Sequence, residues 1–347
     1  MTEPAAAQVK PLPADMEATI GWAVDQRERV RAIAKEAIAN GMRNVWFVGC
    51  GGSLLVSSPA GYLLSRSAKS FTAYRMNANE FNYVRPAAVG PDSLVIVGSH
   101  SGKTPETLTA IETARALGVR KIVGVGRADD SPLAAGVDEM FAYCSKDTVW
   151  EPKQVLLAYL THGLLTASGD QSPEAENVAA QSYAALPAIL RGAISSQDEA
   201  LAQIAAKIAD EPVVYVLGSG PNEDVARCLA MCYLQEMQWI NSAAFHAGEF
   251  FHGAFEVVTE NVPVILFLGR DDTRPVAERA GRFIDKYTKL AFHIDAVNLD
   301  LPGVAEQSYA EIDPIVLGSI SVRLAQHFEA VTRHSLEIRR YMFKVEY

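Results

Sequence analysis

Between Leu234 and Glu256 the chain reads LQEMQWINSAAFHAGEFFHGAFE, with carboxylates at Glu236 and Glu249 and imidazoles at His246 and His252. Glu236 sits near the end of an apolar helical run, CLAMCYLQEMQWI, and His252 follows two phenylalanines and precedes a glycine. A carboxylic acid among apolar neighbours has its pKa raised, and histidine already titrates near neutrality. Such a pair suits proton transfer on a small carbonyl compound. The same residues also suit a helix-capping glutamate and a histidine at the edge of a core.

Two further loops suit an anion. VGCGGSLL (48–55) and GSHSGKTPET (98–107) join glycines to hydroxyls directly after apolar runs. Gly51 and Gly52 let the backbone approach a bound oxyanion, and Ser53 is expected to cap the helix that follows. Thr104, with Pro105 at the first helical position and Glu106 behind it, marks a second capped helix start. Ser53, Ser99, Ser101 and Thr104 would then offer hydroxyls where two helix dipoles converge, a site of the monophosphate kind. Lys103 adds a positive charge or is a solvated loop lysine, and His100 either touches the ligand or serves the backbone. GCGGSL lacks the GxGxxG spacing, and no GxxxxGK[ST] is present, so dinucleotide and P-loop chemistry are disfavoured.

These loops need rigid elements behind them. After residues 1–14, read as a loose arm, a helix is expected over Glu17–Asn40. Apolar strands follow at Asn44–Val48, Ser70–Tyr74, Ser93–Val97 and Lys121–Val125, with helices at Leu54–Ser65 and Thr104–Leu117. A helix over Glu151–Ser168 closes this part, and 171–347 forms a second domain after the first at 15–170. Helices at Ala175–Leu190 and Ser196–Ile208 lead into strand Val213–Leu217, a GSGPN turn and helix Glu223–Trp239. Strands Val262–Leu268 and Ala291–Asp295, helix Arg274–Tyr287 and a last helix over Ile312–Val331 complete the pattern. Apolar strands alternating with amphipathic helices predict α/β architecture with parallel sheets covered on both faces. The repeated strand and glycine turn predict an internal duplication.

At 347 residues, two domains are expected. A net charge of −10 without a basic cluster argues against nucleic acid. Cys50, Cys144, Cys228 and Cys232 form no CxxC pair, and are read as buried thiols of a reducing compartment. The opening MTEPAAAQVKPLPAD has no signal pattern, and no run approaches the ~20 apolar residues of a membrane span. A cytoplasmic protein that keeps away from membranes is expected.

The SHSGKTPET loop resembles the S-x-S-G-x-T-x-E signature of the sugar isomerase (SIS) family, and GCGGS and E-M-Q-W…H-A-G-E-F-F-H-G extend the likeness. EMQWINSAAFHAGEFFHGAFE and the tail RRYMFKVEY are similar to the deglycases of phosphorylated Amadori compounds within that family. The resemblance implies two tandem flavodoxin-like SIS domains, each a parallel sheet flanked by helices, with an N-terminal helix and a C-terminal tail. It implies Glu236 and His252 as the catalytic pair, and Ser53, Ser99, Ser101 and Thr104 as phosphate binders. It also implies a homodimer or higher homo-oligomer in which His252 reaches a neighbour's site, and a reaction without metal or organic cofactor. Lys344 occupies a position similar to that of a sugar-contacting lysine, while Arg339 and Arg340 would anchor the tail through carboxylates. Glu249 would orient the pair, and His246 would be a structural hydrogen-bonder, as would His162, His293, His327 and His334 or be solvated. Lys103, where these deglycases carry Asn, and TVWEPKQ (148–154) depart from the pattern.

The implied activity is cleavage of a 6-phosphorylated fructosamine to glucose 6-phosphate and free amine. The alternatives are an aldose–ketose isomerase of a phosphorylated or sulfonated sugar, and a non-catalytic sugar-phosphate sensor.

Overall fold

The structure, a computed structural model, describes residues 9–342 and 344–346. Its contacts divide the chain into two compact units. The N-terminal unit holds residues 13–189 and 302–312; the C-terminal unit holds 9–12, 190–301 and 313–346. The boundary expected at 170/171 lies inside the N-terminal unit, and the division at 189/190 falls within the helix Pro173–Ser195. Of the arm expected over 1–14, residues 1–8 lie outside the described residues. Lys10 is pinned, its ammonium on Glu329 at 2.7 Å and its carbonyl on Arg323.

In the N-terminal unit five strands form one sheet: β1 (Asn44–Gly49), β2 (Thr72–Asn77), β3 (Ser93–Ser99), β4 (Lys121–Gly126) and β5 (Glu139–Ala142). Their order is β2-β1-β3-β4-β5, and every pairing is parallel. β1 is buried along its whole length, as a central parallel strand covered on both faces must be. On one face Trp46, Val48, Val95, Val97 and Ile122 pack with Phe81, Ala110, Ile111 and Leu133. Each large side chain buried there contributes roughly 1.5–3 kcal/mol. Strand order reverses between β1 and β3, so the loops leaving these two strands open side by side at the sheet's carboxyl edge.

In the C-terminal unit β6 (Val214–Gly218), β7 (Ser242–His246), β8 (Val264–Leu268) and β9 (Ala291–Asp295) pair in the order β7-β6-β8-β9, again all parallel. The first four strands of the N-terminal unit follow the same scheme, as the internal duplication predicts. Phe250, Val264, Leu266, Ala277, Ala280 and Ile284 fill the core beneath.

Three helical expectations need correction. Glu17–Asn40 is two helices, Met16–Asp25 and Arg27–Ala39, broken at Gln26. Leu54–Ser65 is Gly52–Leu55 followed by Ser58–Ser67, and the second starts afresh with Pro59 in its first turn. The helix expected over Glu223–Trp239 is α-helical only to Arg227, and Cys228–Gln235 is wound as a π-helix. Cys144 is exposed and Cys50 half-buried, so the cysteines are not uniformly buried thiols. Among the described residues no helix is long and apolar enough to cross a membrane.

Candidate active site

The two loops at the β1/β3 edge are brought together by absent side chains. Gly49 and Gly98 face one another in register. A Cβ on Gly98 would stand 3.0 Å from the Ser53 carbonyl, and one on Gly49 would meet the Gly98 carbonyl at 3.2 Å. Only glycine lets the GCGGS turn lie so close to β3. Gly51, at φ +51, begins the turn and is itself the residue ahead of helix Gly52–Leu55. Ser53 therefore sits inside that helix rather than capping it, which corrects the capping expectation.

Thr104 does precede helix Pro105–Ala116, but its side chain does not cap it. Its hydroxyl lies 2.9 Å from Ser99 Oγ, which also accepts the Gly102 amide at 3.1 Å. Ser101 Oγ accepts the Lys103 amide at 3.2 Å. The loop is thus pre-shaped by its own hydroxyls. Ser99 is buried, Ser53, Ser101 and Thr104 are half-buried, and Lys103 is exposed. Four hydroxyls and a helix start suit the peripheral oxygens of a phosphate.

His100 points elsewhere. Its Nδ1 lies 2.6 Å from the hydroxyl of buried Tyr143, and its carbonyl accepts the Arg127 amide. Lys153, buried at the start of helix Trp150–Ser168, sits 5.6 Å from the Tyr143 ring centroid. Burial, with Lys153 and Arg127 adding to it, pushes the imidazole pKa down to about 4. The unfolded chain, with an ordinary value of 6.5, therefore binds this proton first. Stability from this group is complete above pH 6.5 and is lost as pH falls toward about 4. Urea midpoints at the two ends of that window should fall less in His100→Asn than in the wild type. An equal fall in both would show that His100 is not the titrating group.

The corresponding loops of the C-terminal unit are closed by an internal carboxylate. Gly220 stands at φ +52 after β6, where a Cβ would strike Thr273 Oγ1 and Asp271 Oδ1 at 2.5 and 2.9 Å. Asp271 accepts the Thr273 amide at 2.8 Å, the Thr273 hydroxyl at 2.5 Å and the Asn222 amide group at 3.2 Å. Thr273 Oγ1 lies 3.0 Å from Ser219 Oγ, joining the loop after β8 to the loop after β6. Arg270 N–H groups hold the fully buried Asp313 at 2.6 to 3.2 Å. Here the Thr273 hydroxyl and the Asn222 amide group are already engaged by the chain's own Asp271.

Glu236 lies just past the π-helix, and its amide reaches back five residues to the Met231 carbonyl at 3.1 Å. Such π turns are rare and favour functional positions. The Ser242 hydroxyl donates to the Ala230 carbonyl, and Gln235 Nε2 to the Ser242 carbonyl at 2.6 Å, tying this segment to β7. Burial raises the Glu236 pKa above the ordinary carboxylate value, while the charge and hydrogen bond of Arg339 pull it down. Arg339 Nε donates to Glu236 Oε1 at 2.8 Å. The tail therefore is anchored through a carboxylate, and that carboxylate is the candidate base.

His252 ends a short turn, Glu249–His252, on the surface, with its neighbour Phe250 fully buried among aromatic rings. Its exposed imidazole has no hydrogen-bond partner among the described residues and makes no bond to Glu236. His246 Nδ1 accepts the Gly248 amide at 3.1 Å, the structural bond expected of it. Glu249 is exposed. Lys344 donates to the Arg339 carbonyl at 2.5 Å. His162 meets Glu311, His293 meets Asp285 and His327 meets Asp198, each by a ring nitrogen. Sequence reasoning missed Tyr143 and the packing of His334 on Trp239, ring centroids 4.3 Å apart.

Residues 40–150 match the SIS domain family. The chain is 35% identical over 320 residues to a fructosamine deglycase of Bacillus subtilis, covering 92% of this chain and 97% of that one. It is 25% identical over 313 residues to a fructoselysine 6-phosphate deglycase of Escherichia coli, covering 90% and 89%. Among solved structures, a provisionally named phosphosugar isomerase of Bacillus subtilis superposes with a TM-score of 0.86 at 34% identity, covering 94% of this chain and 99% of that one.

Proposed function

The chain is an enzyme of the sugar isomerase (SIS) family, built from tandem SIS-type α/β domains, and from that premise we propose that it is a deglycase of 6-phosphorylated fructosamines. The observation that carries the reading is Glu236, a carboxyl raised in pKa by burial, in a chain similar over most of its length to a fructosamine deglycase. Phosphosugar recognition falls to Gly51, Gly52, Ser53, Ser99, Ser101 and Thr104, with Lys103 and Lys344 as added positive charges and His100 shaping the loop.

The substrate is a 1-amino-1-deoxy-2-ketose. Glu236, as carboxylate, takes a proton from C1, and the electron pair moves to form the 1,2-enaminol. Glu236, now the acid, returns the proton to C2 and turns the enaminol into an imine at C1. Water adds to that carbon, the C–N bond breaks, and glucose 6-phosphate and the free amine leave. His252 protonates the ring oxygen on opening or the developing alkoxide. Each such transfer from a positioned group is worth about 10²–10⁴ in rate. The chemistry is hydrolytic, and the residues assigned to it supply both proton transfers.

The likeness to a structure named for phosphosugar isomerisation favours a second reading, aldose–ketose isomerisation, which starts from the same C1 proton. Product analysis separates them. Incubated with fructoselysine 6-phosphate and a panel of other phosphorylated Amadori compounds, the purified protein should release glucose 6-phosphate and amine in equal amounts from at least one. Interconversion of aldose and ketose phosphates or sulfonates without amine would replace the deglycase by the isomerase. Tight binding with no turnover would make it a sensor.

A further inference from the structure

The segment that carries the candidate base also grips the end of the chain. Glu236 Oε1 accepts Arg339 Nε at 2.8 Å. Two residues on, Gln238 Nε2 donates to the His334 carbonyl at 2.6 Å, and its Oε1 accepts the Thr332 hydroxyl at 2.7 Å. Trp239 is held between the His334 ring and the Arg340 guanidinium, each 4.3 Å away. It takes this place at φ +58, a backbone conformation that a bulky residue rarely adopts. Three of the four residues of E-M-Q-W thus bind the tail, and they do so after a π-helix that sets their direction.

Arg339 itself is braced. Its terminal nitrogen donates to the Leu336 and Ile338 carbonyls at 2.6 and 3.1 Å, and Lys344 caps its own carbonyl. One terminal nitrogen of the guanidinium is thus held by two backbone carbonyls while its Nε meets Glu236. Its contact is through one nitrogen to one oxygen, and Glu236 Oε2 accepts no hydrogen bond among the described residues. The other ionisable groups nearby are engaged elsewhere. Arg340 lies on Trp239, Lys344 on the Arg339 carbonyl, and Glu329 on Lys10 and the Leu336 amide. The His334 ring lies on Trp239.

We propose that Arg339 is a positioning residue for the base: held by the tail that E-M-Q-W clamps, it fixes one oxygen of Glu236, keeps the group a carboxylate, and leaves the other oxygen to receive the substrate proton. The role of Glu236 as base rests on the deglycase reading; its pairing with Arg339 does not. Burial favours the protonated acid, which cannot act as a base, and an adjacent guanidinium opposes that. A lysine would keep the charge without the braced planar geometry.

The test reads the carboxylate directly. In full-length protein labelled with ¹³C at the glutamate Cδ, the resonance lost in Glu236→Gln identifies Glu236, and its titration is followed by NMR. Arg339→Met should move the midpoint upward by about one unit or more, and Arg339→Lys should bring it back toward the wild-type value. The acid limb of kcat/KM should shift by the same amount, with the rate above it largely recovered. An unmoved midpoint in folded Arg339→Met, whether or not the melting temperature falls, overturns the proposal. So does a rise in kcat, which would make the arginine a block. A shifted midpoint in a protein that releases no amine supports the pairing while refuting the deglycase; amine release with an unshifted midpoint does the reverse.

Discussion

Glu236→Gln should lower deglycase turnover by about 10²–10⁴ while leaving the melting temperature within a degree or so of the wild type. Glutamine has the same shape, and its amide oxygen can still accept Arg339 Nε, so the tail contact at 2.8 Å survives in kind. What is lost is the lone pair basic enough to take a C1 proton. The expectation is a fall in kcat with little change in KM, because the phosphate loop is untouched. Initial rates of amine release, set beside a thermal melt, check it. Turnover within about tenfold of the wild type would remove Glu236 from the chemistry, whatever its surroundings look like.

His252→Ala should cost a similar factor, about 10²–10⁴, for a different reason. The imidazole is exposed on a short turn anchored by the fully buried Phe250 ring. A histidine so placed can serve a neighbouring copy, as the family resemblance implies. If it does, mixing Glu236→Gln with His252→Ala subunits builds dimers in which one of the two sites is intact, and activity returns to about a quarter of the wild type after random exchange. Each variant alone should stay inactive. A mixture no better than its parts would place both residues in one chain's site or keep His252 out of the reaction.

Much of the framework was legible because parallel strands buried on both faces read as unbroken apolar runs. β1, β3, β4, β6 and β8 were all found that way. β5 and β7 were not: EMFA and SAAFH are short and only part-buried, so they carry neither a continuous run nor a clear alternation. The π-helix was invisible for another reason. CLAMCYLQ has the composition of any buried α-helix, and its extra residue per turn coincides with ties to β7 made by Ser242 and Gln235, a tertiary cause. The helix broken before Ser58 carries a visible signal in Pro59, which starts a new helix rather than continuing one.

The site divides in the same way. Hydroxyls grouped in SHSGKT announce an anion loop, and an acid at the end of an apolar helix announces a raised pKa, because both are local statements. That Thr104 spends its hydroxyl on Ser99 rather than on a helix cap is a matter of loop conformation, which residue types alone do not state. The seating of Arg339 on Glu236 joins residues 103 positions apart. Charge told that the tail needed carboxylates; only the fold says which.

The filled loop beside β6 bears on how the duplication was put to use. Asp271 supplies, on a covalent tether, a negative charge of the kind that the sister loop, on the proposed reading, takes from solution. A tethered carboxylate needs no concentration and never dissociates, so a free phosphate entering there would have to displace it and bear its repulsion. The repeat thus doubles the architecture without doubling the appetite for ligand. On the proposed reading one copy is left as the receptor, and the other, with its own counter-charge built in, is released from that duty to carry Glu236 and the tail.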